Sequence, residues 1–185
     1  MTDTTTTIQG YIAGTWTIDA VHSEVGFSVR HMMVSKVRGK FTEFSGAFVT
    51  GDKPEQSSVT ATVALTSIDT GNTDRDNHIR SADFFNVETN KDMAFTSTGI
   101  RLDGGDYILD GNLTLKGVTK PVSLELELGG FGPDAYGGTR AGFTATGEIK
   151  RSDFGVDFNA VLDAGGVVVS DKVDIHLEIE GVLKA

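Results

Sequence analysis

The sequence contains no cysteine, and this absence removes several kinds of chemistry. Disulfide bonds, thiolate metal sites and cysteine nucleophiles are all excluded. A chain of 185 residues is nevertheless long enough to bury a large core without such cross-links. The lack of cysteine is compatible with a reducing compartment, although it does not require one.

Basic residues are also scarce. Lys and Arg together number 16 against 26 Asp and Glu, so the formal net charge is −10 and the pI is about 4.7. Because contacts with phosphates require clustered positive charge, we expect no nucleic-acid partner. The same overall charge argues against an anionic membrane surface, and we interpret the acidity mainly as a contribution to solubility.

Long apolar runs are missing as well. No segment approaches the roughly 18 apolar residues that a membrane-spanning helix requires. The first ten residues, MTDTTTTIQG, lack the features of a secretory signal, and their threonines predict a disordered or extended tail over residues 1–13. We therefore expect a cytoplasmic protein with one domain over residues 14–185. A periplasmic or secreted location is expected instead if a signal has been removed.

The chain is rich in a two-residue alternation of apolar and polar side chains. The alternation is clearest over residues 59–66, 122–128 and 173–180. It is the period of an antiparallel strand with one buried and one exposed face. Glycine-rich turns, such as residues 103–106 and 129–134, separate the runs. The pattern predicts an all-β fold of about eight antiparallel strands, closed into a barrel because closure removes the exposed sheet edges.

Several of the predicted inward positions carry small side chains. An eight-stranded barrel is wide enough to hold one small ligand, and small inward residues would leave room for it. The alternative is that glycines relieve strand curvature at tight bends. The positions are Gly39, Gly46, Ala61, Gly111, Ala141, Ala145 and Gly147.

Residues 70–89 break the strand pattern. Thr73 followed by Asp76 resembles an N-cap with an acidic first turn, and a short helical insertion is predicted around residues 73–86. A connection of this length in a compact domain is usually functional or a lid.

The insertion has two interpretations. In the first it caps the barrel mouth, with Phe84 and Phe85 plugging the opening and Arg75 and Arg80 contacting an anionic head group. In the second it is a local loop held together by its own salt bridges and aromatic rings.

Catalytic and metal-binding motifs are not found. The four histidines lack the spacings typical of metal sites, and the sequence has no nucleophile elbow, P-loop or dinucleotide fingerprint. His31 continues the inward phase of Phe27 and Val29, and it is predicted to be either a polar group at one end of the cavity or a hydrogen-bonded core residue. We therefore expect no cofactor, no metal and no catalytic residue.

The ordered motifs of the chain resemble those of the YceI-like family of polyisoprenoid-binding, lipocalin-like proteins. The resemblance runs from about residue 14 to residue 183, which is nearly the whole domain. The segments that carry it are residues 16–23, 27–31, 37–41, 44–46, 70–72, 75–85, 113–122, 151–155 and 169–173.

The resemblance implies an extended, eight-stranded, lipocalin-like barrel with a hydrophobic tunnel. It also implies an isoprenoid, quinone-like or fatty amide chain as ligand, and pairing into a homodimer through an outer face. The residues expected to bind the ligand are Phe27, Val29, His31, Val63, Leu65, Arg75, Arg80, Phe84, Phe85, Phe95, Leu113, Leu115, Leu124, Leu126, Phe143 and Ile175.

The expected function is to bind, and to sequester or carry, a long apolar chain without catalysis. Two rivals stay open at this point. One is an enzyme that acts on an isoprenoid-like substrate with His31 as its base. The other is a stress-response barrel with a filled core and no lipid role.

Overall fold

The computed structural model describes residues 8–32, 34–159 and 169–184. Within these ranges the chain forms strands and one α-helix, joined by turns and short 3-10 segments. The strands are β1 Gly14–Ile18, β2 Glu24–His31, β3 Ser35–Phe41, β4 Phe44–Thr50, β5 Ser58–Ala64, β6 Ile68–Asp69, β7 Asp92–Asp103, β8 Asp106–Leu115, β9 Val118–Pro133, β10 Thr139–Lys150 and β11 Lys172–Leu183; the helix is α1 Thr73–Arg80.

The strands close into an antiparallel ring of eight. Their order around the ring is β1, β4, β5, β7, β8, β9, β10 and β11, and β11 pairs again with β1. At three of the eight positions the strand is interrupted and consists of two consecutive segments. These are β1 with β2, β3 with β4, and β5 with β6. The predicted eight-stranded antiparallel barrel is therefore confirmed.

One end of the barrel is filled by aromatic side chains, which we call the aromatic plug: Trp16, Phe48, Phe131 and Phe143. Trp16 is fully buried, and its ring stacks on Phe48 with the centroids 5.7 Å apart. The Trp16 Nε1–H donates to Thr50 Oγ1 at 2.9 Å, so the one polar atom of the indole is satisfied. This end of the interior is closed by the protein's own residues.

The segment before β1 lies against the aromatic plug. The Tyr11 hydroxyl donates to the Gly51 carbonyl at 2.8 Å, and its ring meets Phe131 edge to face. Residues 1–7 of the expected tail lie outside the described residues, whereas residues 8–13 help to cover the closed end.

Several inward glycines make room for aromatic rings rather than for a ligand. A Cβ on Gly111 would lie 2.3 Å from Phe95 Cζ and 2.8 Å from the Thr96 carbonyl oxygen. A Cβ on Gly39 would lie 2.4 Å from Phe27 Cζ. The expectation that such positions leave the cavity empty is therefore wrong for Gly39 and Gly111, because a ring from the neighbouring strand already lies over each glycine.

This packing predicts that Gly111→Ala destabilises the barrel. The new methyl group would overlap a ring and a backbone oxygen, and overpacking of this kind typically costs about 1–3 kcal/mol. Gly99→Ala is the matched control, because nothing lies within 4 Å of its Cβ position on the strand that pairs with β8. Urea unfolding should show a clear loss for Gly111→Ala alone, and equal stability of the two variants would contradict the packing argument.

On the outer surface, an ion cluster bridges the interruption between β1 and β2. Arg140 on β10 reaches Asp19 Oδ2 at 2.8 Å and Asp134 Oδ2 at 3.1 Å. The Arg140 hydrogen bond is the main cause that holds the pKa of Asp19 well below its usual range, and a second hydrogen bond from His22 adds to the effect. The cluster thus ties β10 to the irregular segment between β1 and β2.

Replacing Arg140 by Gln should raise the pKa of Asp19 toward its unfolded value of about 3.9. A carboxyl group whose pKa is lowered on folding stabilises the protein above its unfolded pKa, and that stabilisation is lost as pH falls through the folded pKa. The variant should therefore lose stability near neutral pH and less at strongly acidic pH. NMR titration of the Asp19 carboxyl measures the pKa directly. The pKa of Asp110, which is lowered by Arg101, is the internal control and should not move.

Candidate functional site

The barrel encloses an apolar cavity of about 240 Å³. Side chains from every position around the ring contribute to its wall, and α1 contributes Ile79. The interior is therefore not filled by its own residues, as a barrel with a packed core would be.

The cavity is elongated along the strands. Four successive inward residues of β11 line it, namely Val173, Ile175, Leu177 and Ile179. At about 3.3 Å per residue these positions span about 20 Å along the strand. Ile179 belongs to the cluster around the aromatic plug, so the cavity ends there. Its other end lies by Phe84, Phe85 and Arg151.

Most of the apolar residues expected to bind a ligand do face this cavity. Their contact with a ligand stays a prediction, but their position on the cavity wall is now established. They are Phe27, Val29, Val63, Phe84, Phe85, Phe95, Leu113, Leu115, Leu124, Phe143 and Ile175. Ala61 and Ala145 also line the cavity, and the Ala145 residue is fully buried.

Two of the expected apolar residues lie elsewhere. Leu65 is fully buried, but it starts the 3-10 turn Leu65–Ser67 that interrupts the strand between β5 and β6. The turn breaks the two-residue alternation, so the side chain packs in the core rather than on the cavity wall. Leu126 faces a separate small pocket near Tyr11 and Phe131, because β9 extends past the aromatic plug.

The insertion forms a short helix that closes one end of the cavity. Its N-cap is Asn72 rather than Thr73, because the Asn72 side chain accepts the Arg75 N–H at 3.0 Å. Asp76 is buried and accepts the Thr70 N–H at 2.9 Å, which holds the start of the helix against the end of β6.

Arg75 and Arg80 do not reach the cavity. Arg75 donates through Nε to Thr70 Oγ1 and through Nη2 to the Thr70 carbonyl, both at 2.7 Å. Arg80 donates to the carbonyls of Thr66 and Ile68, each at 2.9 Å. The expected head-group role of these arginines is therefore corrected, since their guanidinium groups fasten the insertion to the β5–β6 segment.

His31 is likewise not among the residues that line the cavity. It is the last residue of β2, where its backbone pairs with Ser35 and bridges to Val169. The inward phase predicted from Phe27 and Val29 ends before it, because β2 meets the turn into β3 there. His31 is thus poorly placed to act as a base on a molecule in the cavity.

Arg151 is the one charged residue that the described structure places on the cavity wall, and sequence reasoning missed it. It is buried, and four of its N–H groups donate to backbone carbonyls: those of Val156, Phe158, Val169 and Ser170, at 2.8 to 3.2 Å. Burial lowers the pKa of the guanidinium from its usual value, although an arginine stays charged in proteins. Its carbon Cζ lies 6.0 Å from the centre of the Phe84 ring. The sequence signal for this residue is the Arg-Ser-Asp-Phe-Gly segment at residues 151–155, which is one of the segments that carry the family resemblance.

A comparison with protein families accounts for this architecture. The model of the YceI-like domain matches residues 16–181. The chain belongs to the YceI-like family.

The YceI-like relatives are similar over most of their length. Protein YceI of Escherichia coli O6:H1 is 44% identical over 162 residues, which cover 87% of this chain and 82% of that protein. A UPF0312 protein of Photorhabdus laumondii is 42% identical over 166 residues, covering 89% and 83%.

Solved structures with the YceI-like fold show the same barrel. BcnA of Burkholderia cenocepacia superposes with a TM-score of 0.77 at 26% identity, covering 88% of this chain and 98% of that one. A polyisoprenoid-binding domain of Saccharophagus degradans superposes with a TM-score of 0.66 at 17% identity, covering 94% and 100%, and this likeness concerns the fold. In the described part of this chain, no helix has the length and apolar character needed to cross a membrane.

The contacts of Arg151 predict that Arg151→Met unfolds more easily than the parent protein. The Val156 carbonyl is buried and would be left without its donor, which costs about 1–3 kcal/mol. The other three carbonyls are only partly buried and can bond to water, so the expected loss is about 1–3 kcal/mol. Arg101→Met is the control, since Arg101 makes an exposed ion pair with Asp110 and should matter far less. Urea unfolding distinguishes the two variants. An unchanged free energy of unfolding for Arg151→Met would show that these carbonyl contacts do not stabilise the protein.

Proposed function

We propose that the protein binds, and sequesters or carries, a long-chain apolar ligand in the barrel cavity. The ligand class is a polyisoprenoid, an isoprenoid quinone or a fatty amide. The observation that carries the proposal is the elongated cavity whose described wall is apolar except for Arg151 at one end.

The size of the cavity supports a ligand larger than a single ring. Engineered apolar cavities of about 150 Å³ stay dry and bind benzene. The cavity here is larger, at about 240 Å³, and it follows β11 for four inward residues. This shape suits a chain better than a disc.

The energetics also favour binding by simple burial. Apolar surface gains roughly 25 cal/mol for each Å² removed from water. A chain that buries several hundred Å² therefore gains on the order of 10 kcal/mol before the costs of association are subtracted. Such a gain is sufficient for a carrier and requires no reactive group.

The choice of ligand class draws on the relatives. The Saccharophagus degradans domain is described as polyisoprenoid-binding, and its barrel has the same fold. The cavity wall supports the same class of molecule here. Arg151 lies at the end of the cavity where the polar end of such a ligand would lie. Four of its N–H groups already donate to backbone carbonyls.

Binding is favoured over catalysis by what the cavity wall offers. Among the described lining residues, no side chain other than Arg151 could hold or transfer a charge. The enzyme alternative depended on His31, which lies at the end of β2 and off the cavity wall. No observation of the structure favours turnover of the ligand.

The proposal predicts that Ala145→Phe reduces ligand uptake. Ala145 is fully buried and faces the cavity, so a ring at this position would occupy the space that the chain needs. Ala47→Phe is the matched control, because Ala47 points outward between the inward Gly46 and Phe48. Delipidated parent protein should take up long-chain isoprenoids from a lipid extract, as read by native mass spectrometry.

The expected result is an adduct on the parent protein and on Ala47→Phe, with at least tenfold less on Ala145→Phe. Urea unfolding must show that Ala145→Phe is folded, and Ala61→Phe provides a second cavity variant if it is not. An apo mass for the parent protein in every lipid extract would overturn the proposal. The same spectra report whether the protein pairs into a homodimer.

A further inference from the structure

The β2–β3 hairpin combines two features that are unusual in so acidic a chain. Its outer face is basic, and its tip is apolar. The basic residues are Arg30, Lys36, Arg38 and Lys40, all exposed, and no Asp or Glu occurs between Glu24 and Glu43. The tip carries Met32 and Val34.

The basic side chains share one face of the hairpin. Arg30 lies opposite Lys36, Ser28 opposite Arg38, and Gly26 opposite Lys40. The ion pairs of the described residues involve other cations, such as Arg101, Arg140 and Lys172. Within the described structure, none of these four side chains forms an ion pair.

The acidic neighbours lie away from the tip. Asp69 on β6 pairs with Lys40, and Asp174 on β11 pairs with Ser28. Toward the tip, the Arg30 backbone N–H donates to the Ser170 hydroxyl and its carbonyl accepts the Ser170 N–H, so the neighbouring residue there is uncharged. The two acidic residues paired with this hairpin therefore lie beside Ser28 and Lys40 rather than at the turn.

The tip exposes two apolar side chains. Val34 is 83% exposed and Met32 is 43% exposed. The turn is closed by the Val34 N–H donating to the His31 carbonyl at 3.2 Å, with Met32 at a φ of 52°. Asn or Gly is the usual residue at such a position, so an exposed methionine there is costly both in conformation and in solvation.

The tip lies beside the cavity. Val29, two residues before the end of β2, lines the cavity, and so does Val169, to which His31 bridges. This is the end opposite the aromatic plug. A surface bound by the hairpin would therefore adjoin the one end of the cavity that the plug does not fill.

We propose that the β2–β3 hairpin docks on an anionic phospholipid bilayer, with Met32 and Val34 entering the interface and the four basic residues facing the head groups. Charge complementarity identifies the occupant, because unpaired Lys and Arg around an apolar tip match a surface that is anionic outside and apolar within. The net charge of −10 concerns the whole chain and does not oppose a local contact, since charges farther away than about 10 Å are screened at 0.1 M salt. A role of this docking in moving an apolar ligand between the bilayer and the cavity rests on the proposed function.

The test is flotation of the full chain, without ligand, with vesicles of phosphatidylcholine alone or of equal parts phosphatidylcholine and phosphatidylglycerol. The parent protein should float with the anionic vesicles only, and less as salt is raised. The double variant Lys36→Gln, Arg38→Gln should lower the partition coefficient roughly 30-fold, and Val34→Asp about tenfold or more.

The chain offers matched controls for both changes. Val21 is 87% exposed on the outer surface at the β1–β2 interruption, so Val21→Asp should bind like the parent protein. Lys53 and Lys184 are exposed near the closed end, and their double replacement by Gln should have little effect. Thermal unfolding should show that all variants are folded, since every replaced side chain is exposed.

Two outcomes would overturn docking on a bilayer. One is that the parent protein floats with neither kind of vesicle. The other is that Val34→Asp and the double Lys36, Arg38 variant float as well as their controls. Ligand uptake from detergent solution is measured in parallel. Loss of flotation with intact uptake rejects the docking surface alone, whereas flotation without uptake rejects the proposed function alone.

Discussion

Closure of the sheet between β1 and β11 is the constraint on which the rest of the molecule depends. Among the described residues, three pairs set the register of this seam, namely Trp16 with Leu183, Thr17 with Val182, and Ile18 with Gly181, and the Lys184 N–H donates to the Thr15 carbonyl beside them. At the seam, a Cβ on Gly181 would lie 2.4 Å from the Phe48 ring, so the absence of a side chain there lets the aromatic plug form. The seam and the plug are therefore one structure, and the cavity is the part of the closed interior that the plug leaves unfilled.

The two ends of the cavity are built on different physical principles. Stacked and edge-on aromatic rings close the end near β1, where burial of large apolar side chains supplies the stability. At the other end the buried Arg151 guanidinium donates hydrogen bonds to backbone carbonyls of residues that follow β10 and precede β11. A buried charge is tolerated there because the carbonyl dipoles replace the water it has lost. Irregular backbone can thus be held beside an apolar cavity without leaving its polar groups unpaired.

Acidic and basic side chains are unevenly distributed over the outer surface. Asp19 and Asp134 both bond to Arg140. The Arg140 hydrogen bond is the main cause that lowers the pKa of Asp19, whereas the backbone N–H groups of Gly138 and Tyr136 are the main cause for the lowered pKa of Asp134. The basic groups of the β2–β3 hairpin, in contrast, have no such partners in the described structure. The formal net charge sums over the whole chain and does not show this contrast. It therefore argues against binding to an anionic membrane surface, whereas the local arrangement of the hairpin favours it.

The sequence by itself determined the antiparallel barrel of eight strand positions and the apolar character of its interior, because a two-residue period sends alternate side chains to opposite faces whatever the partner strand is. It also placed Phe84, Phe85 and nine further predicted residues on the cavity wall. Only the tertiary structure decided where that alternation fails. The 3-10 turn at Leu65 and the strand end at His31 remove two expected residues from the cavity. Arg75 and Arg80 bond to carbonyls of another segment, which no local pattern encodes. Arg151 is brought to the cavity by residues up to 19 positions away. A side chain's direction follows from local backbone geometry, whereas its partners follow from how distant strands are brought into register.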